Sequence, residues 1–149
     1  MVSHRLRALN YLARREHTRL ELSRKLMRYG EAAEIEALLD DLTSEGLLSH
    51  ARFIEAAHRV WYAKGYGPRW MLARFQQLGI TSEMVTAWWK EEQPDWMHCA
   101  RGVYEKKFSS PITSWADRAR RMRFLTQRGF AQEIIQMITT TEGAWYECE

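Results

Sequence analysis

Five histidines, two cysteines and 19 acidic residues are the groups from which this chain of 149 residues could build a reactive or metal-binding centre. Their spacing does not build one. His4, His17, His50, His58 and His98 are scattered, and neither an HExxH pair nor a Cys/His grouping has metal-ligand spacing. His98 and Cys99 are neighbours, and on a helix adjacent side chains diverge. Asp40 and Asp41 lie among other acids with no partner base. Gly65 to Gly67 lacks the following Lys-Ser/Thr of a phosphate-binding loop, and no nucleophile elbow occurs. The expectation is therefore no catalysis, no metal and no cofactor.

The abundant chemistry is cationic. Arg24, Lys25 and Arg28, then Arg69 and Arg74, then Arg118, Arg120, Arg121, Arg123 and Arg128 recur in comparable helical segments, with Arg52 and Lys64 near them. Such groups suit a polyanion or an acidic protein surface, and interleaved Tyr29, Tyr66, Trp70 and Phe130 could stack on bases. Solvated helix faces and core packing account for the same residue types. The candidate binding set is Arg24, Lys25, Arg28, Arg52, Lys64, Tyr66, Arg69, Arg74, Arg120, Arg121, Arg123 and Arg128.

What must position these groups is a repeat. Gly30, Gly79 and Gly129 each follow an apolar residue at minus four (Leu26, Phe75, Leu125) and precede an acid and an apolar residue at plus four and five (Glu34-Ile35, Glu83-Met84, Glu133-Ile134). Each glycine reads as a left-handed helix terminator. Stripes at helical spacing fill the rest: Leu6, Leu9 and Leu12; Leu22 and Leu26 behind a Thr18 to Glu21 capping box; and Ile35, Leu38, Leu39 and Leu42, closed by Gly46. A second unit starts after Ser49, breaks at Gly65, restarts at Pro68 and carries a third helix from about Ser82 to Glu92. The last starts at Asp95, breaks at Ser109 to Pro111, restarts near Ser114 and ends with a helix over about Phe130 to Thr140. The fold class is all-α, with three tandem three-helix repeats at about 1–50, 51–94 and 95–149. Units of this size need neighbours, so they are expected to stack into an elongated, curved, solenoid-like molecule. Trp61, Trp70, Trp88, Trp89, Trp96 and Trp115 are candidate core anchors between them.

The net charge of +3 hides an alternation. Residues 1–30 hold eight Lys or Arg against two acids, and residues 31–50 hold six acids and no Lys or Arg. The first two helices of each unit are basic, and the third or its end is acidic. No run approaches the roughly 20 apolar residues that span a bilayer, and Asn10, Arg14 and Arg15 interrupt any secretion signal. Cys99 and Cys148 give no disulfide framework. A cytoplasmic protein without membrane contact is expected.

Several ordered motifs resemble the RecX regulatory proteins. Ala8-Leu9, Tyr11 to Thr18, Glu21-Leu22 and Lys25-Leu26 are similar to the family's opening, and Glu45-Gly46-Leu47-Leu48 with Ala51-Arg52-Phe53 continues it. Lys64-Gly65-Tyr66-Gly67-Pro68, followed by Leu72, Phe75, Gly79 and Ile80, is the most specific stretch. Asp95-Trp96, Ala100, Lys106-Lys107, Arg123-Phe124-Leu125 and Arg128-Gly129-Phe130 complete a resemblance over about residues 5 to 138. It implies three three-helix repeats and a monomeric modulator of the recombinase RecA. Such a modulator lodges in the groove of the RecA filament on single-stranded DNA, suppresses ATP hydrolysis and strand exchange, and restrains recombination and the SOS response. Ser49 and His50 stand where the family usually carries acids, so Ser49 must cap the second unit. The tail from Thr141, with Trp145, Tyr146 and Cys148, has no family counterpart. The competing reading is a helix-turn-helix-type protein that binds DNA directly, which needs one helix reading base edges.

Overall fold

A computed structural model describes residues 2–140. The tail from Thr141, including Cys148, lies outside the described residues. Nine helices occupy them: α1 His4–Arg14, α2 Arg19–Leu26, α3 Ala32–Ser44, α4 His50–Ala63, α5 Pro68–Gln77, α6 Ser82–Glu92, α7 Trp96–Lys107, α8 Trp115–Gln127 and α9 Gln132–Thr140. The described chain is all-helical, in repeats of three. None of its helices is long and apolar enough to cross a membrane.

Helix starts follow from side chains that satisfy first-turn N–H groups, each contributing about 1 kcal/mol. The Ser3 hydroxyl accepts from Leu6, that of Ser49 from Arg52 and that of Ser114 from Asp117, while the Asp95 carboxylate accepts from His98. Thr18 and Glu21 close the expected capping box in both directions. Ser49 thus does the capping that its acid-free context demands.

Contacts group the described residues into two compact units, one of 2–57 with 75–91 and the other of 58–74 with 92–140. The first has a core of Ala8, Leu22, Leu26, Ile35, Leu39, Leu42 and Leu48. Leu22 and Leu26 are i and i+4 on α2, and Ile35, Leu39 and Leu42 are i, i+4 and i+7 on α3, so the apolar period builds the contact directly. Phe53 of α4 meets Phe75 of α5 edge to face in the same unit, at 6.3 Å between centroids. In the second, Cys99, Ala100 and Tyr104 of α7 pack with Leu125 of α8, Phe130, and Ile135 and Ile138 of α9.

Two of the expected devices differ. Gly79 and Gly129 have φ of +85° and +94°, and Phe130 N–H closes α8 by donating to Leu125 O, as a left-handed terminator requires. Gly30 does not have positive φ. The chain turns at residues 27–29 instead, with Tyr29 N–H donating to Leu26 O, and a Cβ on Gly30 would fall 2.6 Å from His4 Nε2. That glycine is small because a ring sits on it. The tryptophans depart as well: Trp61, Trp70, Trp88, Trp89 and Trp96 are half-buried and Trp115 is exposed, so the buried anchors are aliphatic residues with Phe75, Tyr104 and Phe130. Indole is too large to be enclosed fully by helices this short, and it settles at their margins.

Candidate binding surface

The second unit gathers Lys64, Tyr66, Arg69 and Arg128 around one backbone junction. The carbonyls of Arg128 and Gly129, at the negative end of α8, accept from the N–H groups of Gly67 (2.7 Å) and Arg69 (3.0 Å), at the positive end of α5. Pro68 between them has no N–H to satisfy. The approach is close enough to demand glycine on both sides. A Cβ on Gly129 would lie 2.3 Å from Trp70 N, and one on Gly67 would lie 2.7 Å from Gly129 C and O.

Side chains then stack on this junction. Trp70 lies 3.9 Å from the Tyr66 ring at 18°, and the Arg128 guanidinium sits 4.4 Å above the same ring. Groups that near must occupy opposite faces. Tyr66 therefore has no open face for a base, and its part is to hold Arg128. Arg128 also donates to Lys64 O at 2.9 Å, and Trp61 braces Trp70 edge-on at 5.3 Å. Lys64 and Arg69 remain exposed beside this stack, and Arg74 is exposed further along α5. Phe130 is fully buried and cannot stack on a base.

On α8, consecutive cations have different positions. Arg120 and Arg123 are exposed. Arg121 is buried, and the expectation that it faces a polyanion is corrected. Its Nε and Nη2 reach Asp117, its Nη1 reaches the Tyr104 hydroxyl and Ser110 O, and its Nη2 also reaches Pro111 O. All five donors of the guanidinium are used. Arg120 first and Arg121 next hold the Asp117 carboxyl down at about 2. The node fixes the segment between α7 and α8.

In the first unit the residues of the opening motif bind one another. Arg15 pairs with Glu21 at 2.9 Å, Arg52 with Glu16 at 2.9 Å and with Gly46 O, and Arg19 with Glu36 and Asp40. His17 is buried. Its Nδ1 lies 3.0 Å from Arg15 O and its Nε2 2.8 Å from Lys25 Nζ. A carbonyl only accepts, so Nδ1 carries the proton and Nε2 accepts from the ammonium. Burial, helped by the charges of Arg15 and Lys25, lowers the His17 pKa and keeps the ring neutral. Lys25 and Arg52 are thus committed to the fold. Arg24 and Arg28 are exposed, the latter 5.7 Å from the Tyr29 ring.

Sequence reasoning passed over α1. Arg7, Asn10, Tyr11 and Arg14 line a cleft of about 220 Å³ on it, and Arg7 lies 3.8 Å above Tyr29. Their i, i+3, i+4 and i+7 spacing was the available signal. Cys99 is buried, and desolvation pushes its thiol up to about 11, so it is a packing residue rather than a nucleophile. Among the described residues no group of His, Cys, Asp and Glu could hold a metal ion.

The chain has known relatives. Residues 5–42 match the family described as RecX, first three-helix domain, and residues 97–138 match RecX, third three-helix domain. The chain is 37% identical over 145 residues to the Regulatory protein RecX of Pseudomonas fluorescens, spanning 96% of this chain and 94% of that one. It is 37% identical over 139 residues to the protein of the same name from Ralstonia nicotianae, spanning 92% and 86%. The crystal structure of RecX from Lactobacillus salivarius has the same fold, with a TM-score of 0.76 at 20% identity over 93% of this chain and 94% of that one.

Proposed function

We propose a function from one premise: this chain belongs to the RecX family of regulatory proteins. It acts as a monomer in the cytoplasm on the recombinase RecA, lodging in the groove of the RecA filament on single-stranded DNA. Occupying that groove inhibits ATP hydrolysis and strand exchange, and so restrains homologous recombination and the SOS response. The action is binding alone.

The observation that carries this reading is the cationic group at the α5/α8 junction. Lys64 and Arg69 are exposed next to an Arg128 whose position is set by Tyr66, Trp70 and two backbone hydrogen bonds. Little side-chain freedom remains for Arg128 to lose on binding, which favours contact with phosphate or carboxylate. Arg24, Arg28, Arg74, Arg120 and Arg123 supply further positive field around the site.

The test is RecA ATP hydrolysis on single-stranded DNA with substoichiometric protein. The wild type is expected to depress the rate, and the double reversal Lys64→Glu/Arg69→Glu should raise the half-inhibiting concentration by about tenfold or more with helicity unchanged. An unaffected rate with the wild type would remove the RecA reading. Full inhibition by the double variant would remove the site.

A further inference from the structure

The α1 cleft has a charge state unlike that of the paired arginines of the first unit. Arg5 is matched to Glu45 at 2.8 Å, and Arg15, Arg19 and Arg52 have the carboxylates named above. Even His4 lies 3.4 Å from Glu34. Among the described residues no carboxylate pairs with Arg7 or Arg14, and α1 itself contains no acid. The two cations share one wall, with the Asn10 amide and the Tyr11 ring between them. Lys25 adds a charge 4.8 Å from that ring.

We propose that this cleft binds the phosphodiester backbone of a nucleic-acid strand. Arg7 and Arg14 lie two turns apart, about 10 Å along the axis at 1.5 Å per residue. Asn10 and Tyr11 sit midway, so donors recur about every 5 Å along one line. A linear polyanion with a charge on every unit can meet all three levels at once. Guanidinium forks at both ends give paired hydrogen bonds to phosphate oxygens, and the neutral amide and hydroxyl donate without repelling them. Arg7 is held in advance by its stack on Tyr29. No base edge is read, so binding is indifferent to sequence.

The cleft does not rest on the RecA reading, because it is tested with no RecA present. Anisotropy of a labelled oligothymidylate of about 20 nucleotides, whose bases stack weakly, is followed against salt. Each phosphate contact to a single strand contributes about 0.7 to the slope of log K on log salt. Arg7→Gln/Arg14→Gln should lower that slope by about 1.4, which near 0.15 M salt is roughly a tenfold loss of affinity. Lys90→Glu, on α6, removes the same two units of net charge and should change affinity by less than about twofold. Asn10→Asp places a carboxylate in the cleft without touching either arginine, and it should weaken binding even if the double variant folds poorly. Unchanged binding by both cleft variants overturns the proposal, as does an equal loss with Lys90→Glu. Displacement of the strand by polyglutamate as readily as by unlabelled oligothymidylate would assign the cleft to an acidic protein and overturn it too.

Discussion

Arg120, Arg121 and Arg123 are interchangeable in the sequence and should be far apart in energy. Arg121 has a side chain 3% exposed and spends all five donors on Asp117, Tyr104, Ser110 and Pro111. Arg121→Gln leaves two carbonyls and a hydroxyl without their donor and the half of the Asp117 carboxylate turned inward without its cation. Breaking such a buried pair costs about 3–5 kcal/mol. Arg120 contacts the same carboxylate at 2.8 Å, but its side chain is 60% exposed. Solvent screening holds Arg120→Gln to about 0.2–1 kcal/mol, and Arg123→Gln should stay within about 0.5 kcal/mol. In urea, with a slope of about 2 kcal/mol per molar, Arg121→Gln should lower the midpoint by about 1.5–2.5 M. Arg120→Gln should lower it by at most about 0.5 M. Equal midpoints for the two variants would refute the assignment of Arg121 to the interior. Acid gives a second check. The Asp117 pKa is lowered from 3.8 to about 2, so its stabilisation is full above the unfolded value and is lost as pH falls through the folded one. The gap between wild type and Asp117→Asn should be constant at neutral pH and close toward pH 2.

The other expectations rest on single contacts. Gly129→Ala combines a φ of +94° with a Cβ 2.3 Å from Trp70 N, so α5 must move off the end of α8. The variant should lose about 3–5 kcal/mol by denaturation, from backbone strain and two hydrogen bonds, and should lose the Tyr66–Trp70 near-ultraviolet signal. His17, facing Arg15, Lys25, Glu21 and Tyr11, has its pKa lowered from 6.5. The unfolded chain therefore takes up more protons, so stability is full above about 6.5 and declines as pH drops below it. His17→Gln should flatten that decline in urea midpoints between about pH 7 and pH 5, and an unchanged slope would place the titration elsewhere.

The elements were legible because helix physics is local. Thr18 with Glu21, Ser49, Asp95 and Ser114 each announced a start, and Gly46, Gly65, Gly79 and Gly129 each announced a stop that the backbone takes at positive φ. Gly30 misled because a glycine kept for clearance from His4 looks the same in sequence as one kept for its dihedral angle. The site was less legible, for a reason of the same kind. Whether an arginine faces inward depends on partners far along the chain: Arg128 on Lys64 and Tyr66, Arg121 on Tyr104, Arg52 on Glu16. Periodicity assigns a face of a helix. It does not say what lies against that face.

The alternating charge blocks acquire a different meaning from these pairings. In the sequence they suggest a basic stripe opposite acidic patches. In the first unit the acids of α3 reach back to α1 and α2 instead: Glu34 to His4, Glu36 and Asp40 to Arg19, with Glu45 just beyond α3 reaching Arg5. Much of the basic block is thereby neutralised within the unit, and what a partner meets is the remainder. That remainder excludes most of the family motif. Arg15, Glu16, His17, Thr18, Glu21 and Lys25 hold one another, whereas Arg7, at no motif position, meets no carboxylate among the described residues. A polar motif can therefore identify the fold while most charged residues of its opening stretch hold one another, Arg14 being the one left to the cleft. In this chain the binding surface is best found by subtraction, removing every cation whose charge the fold already uses.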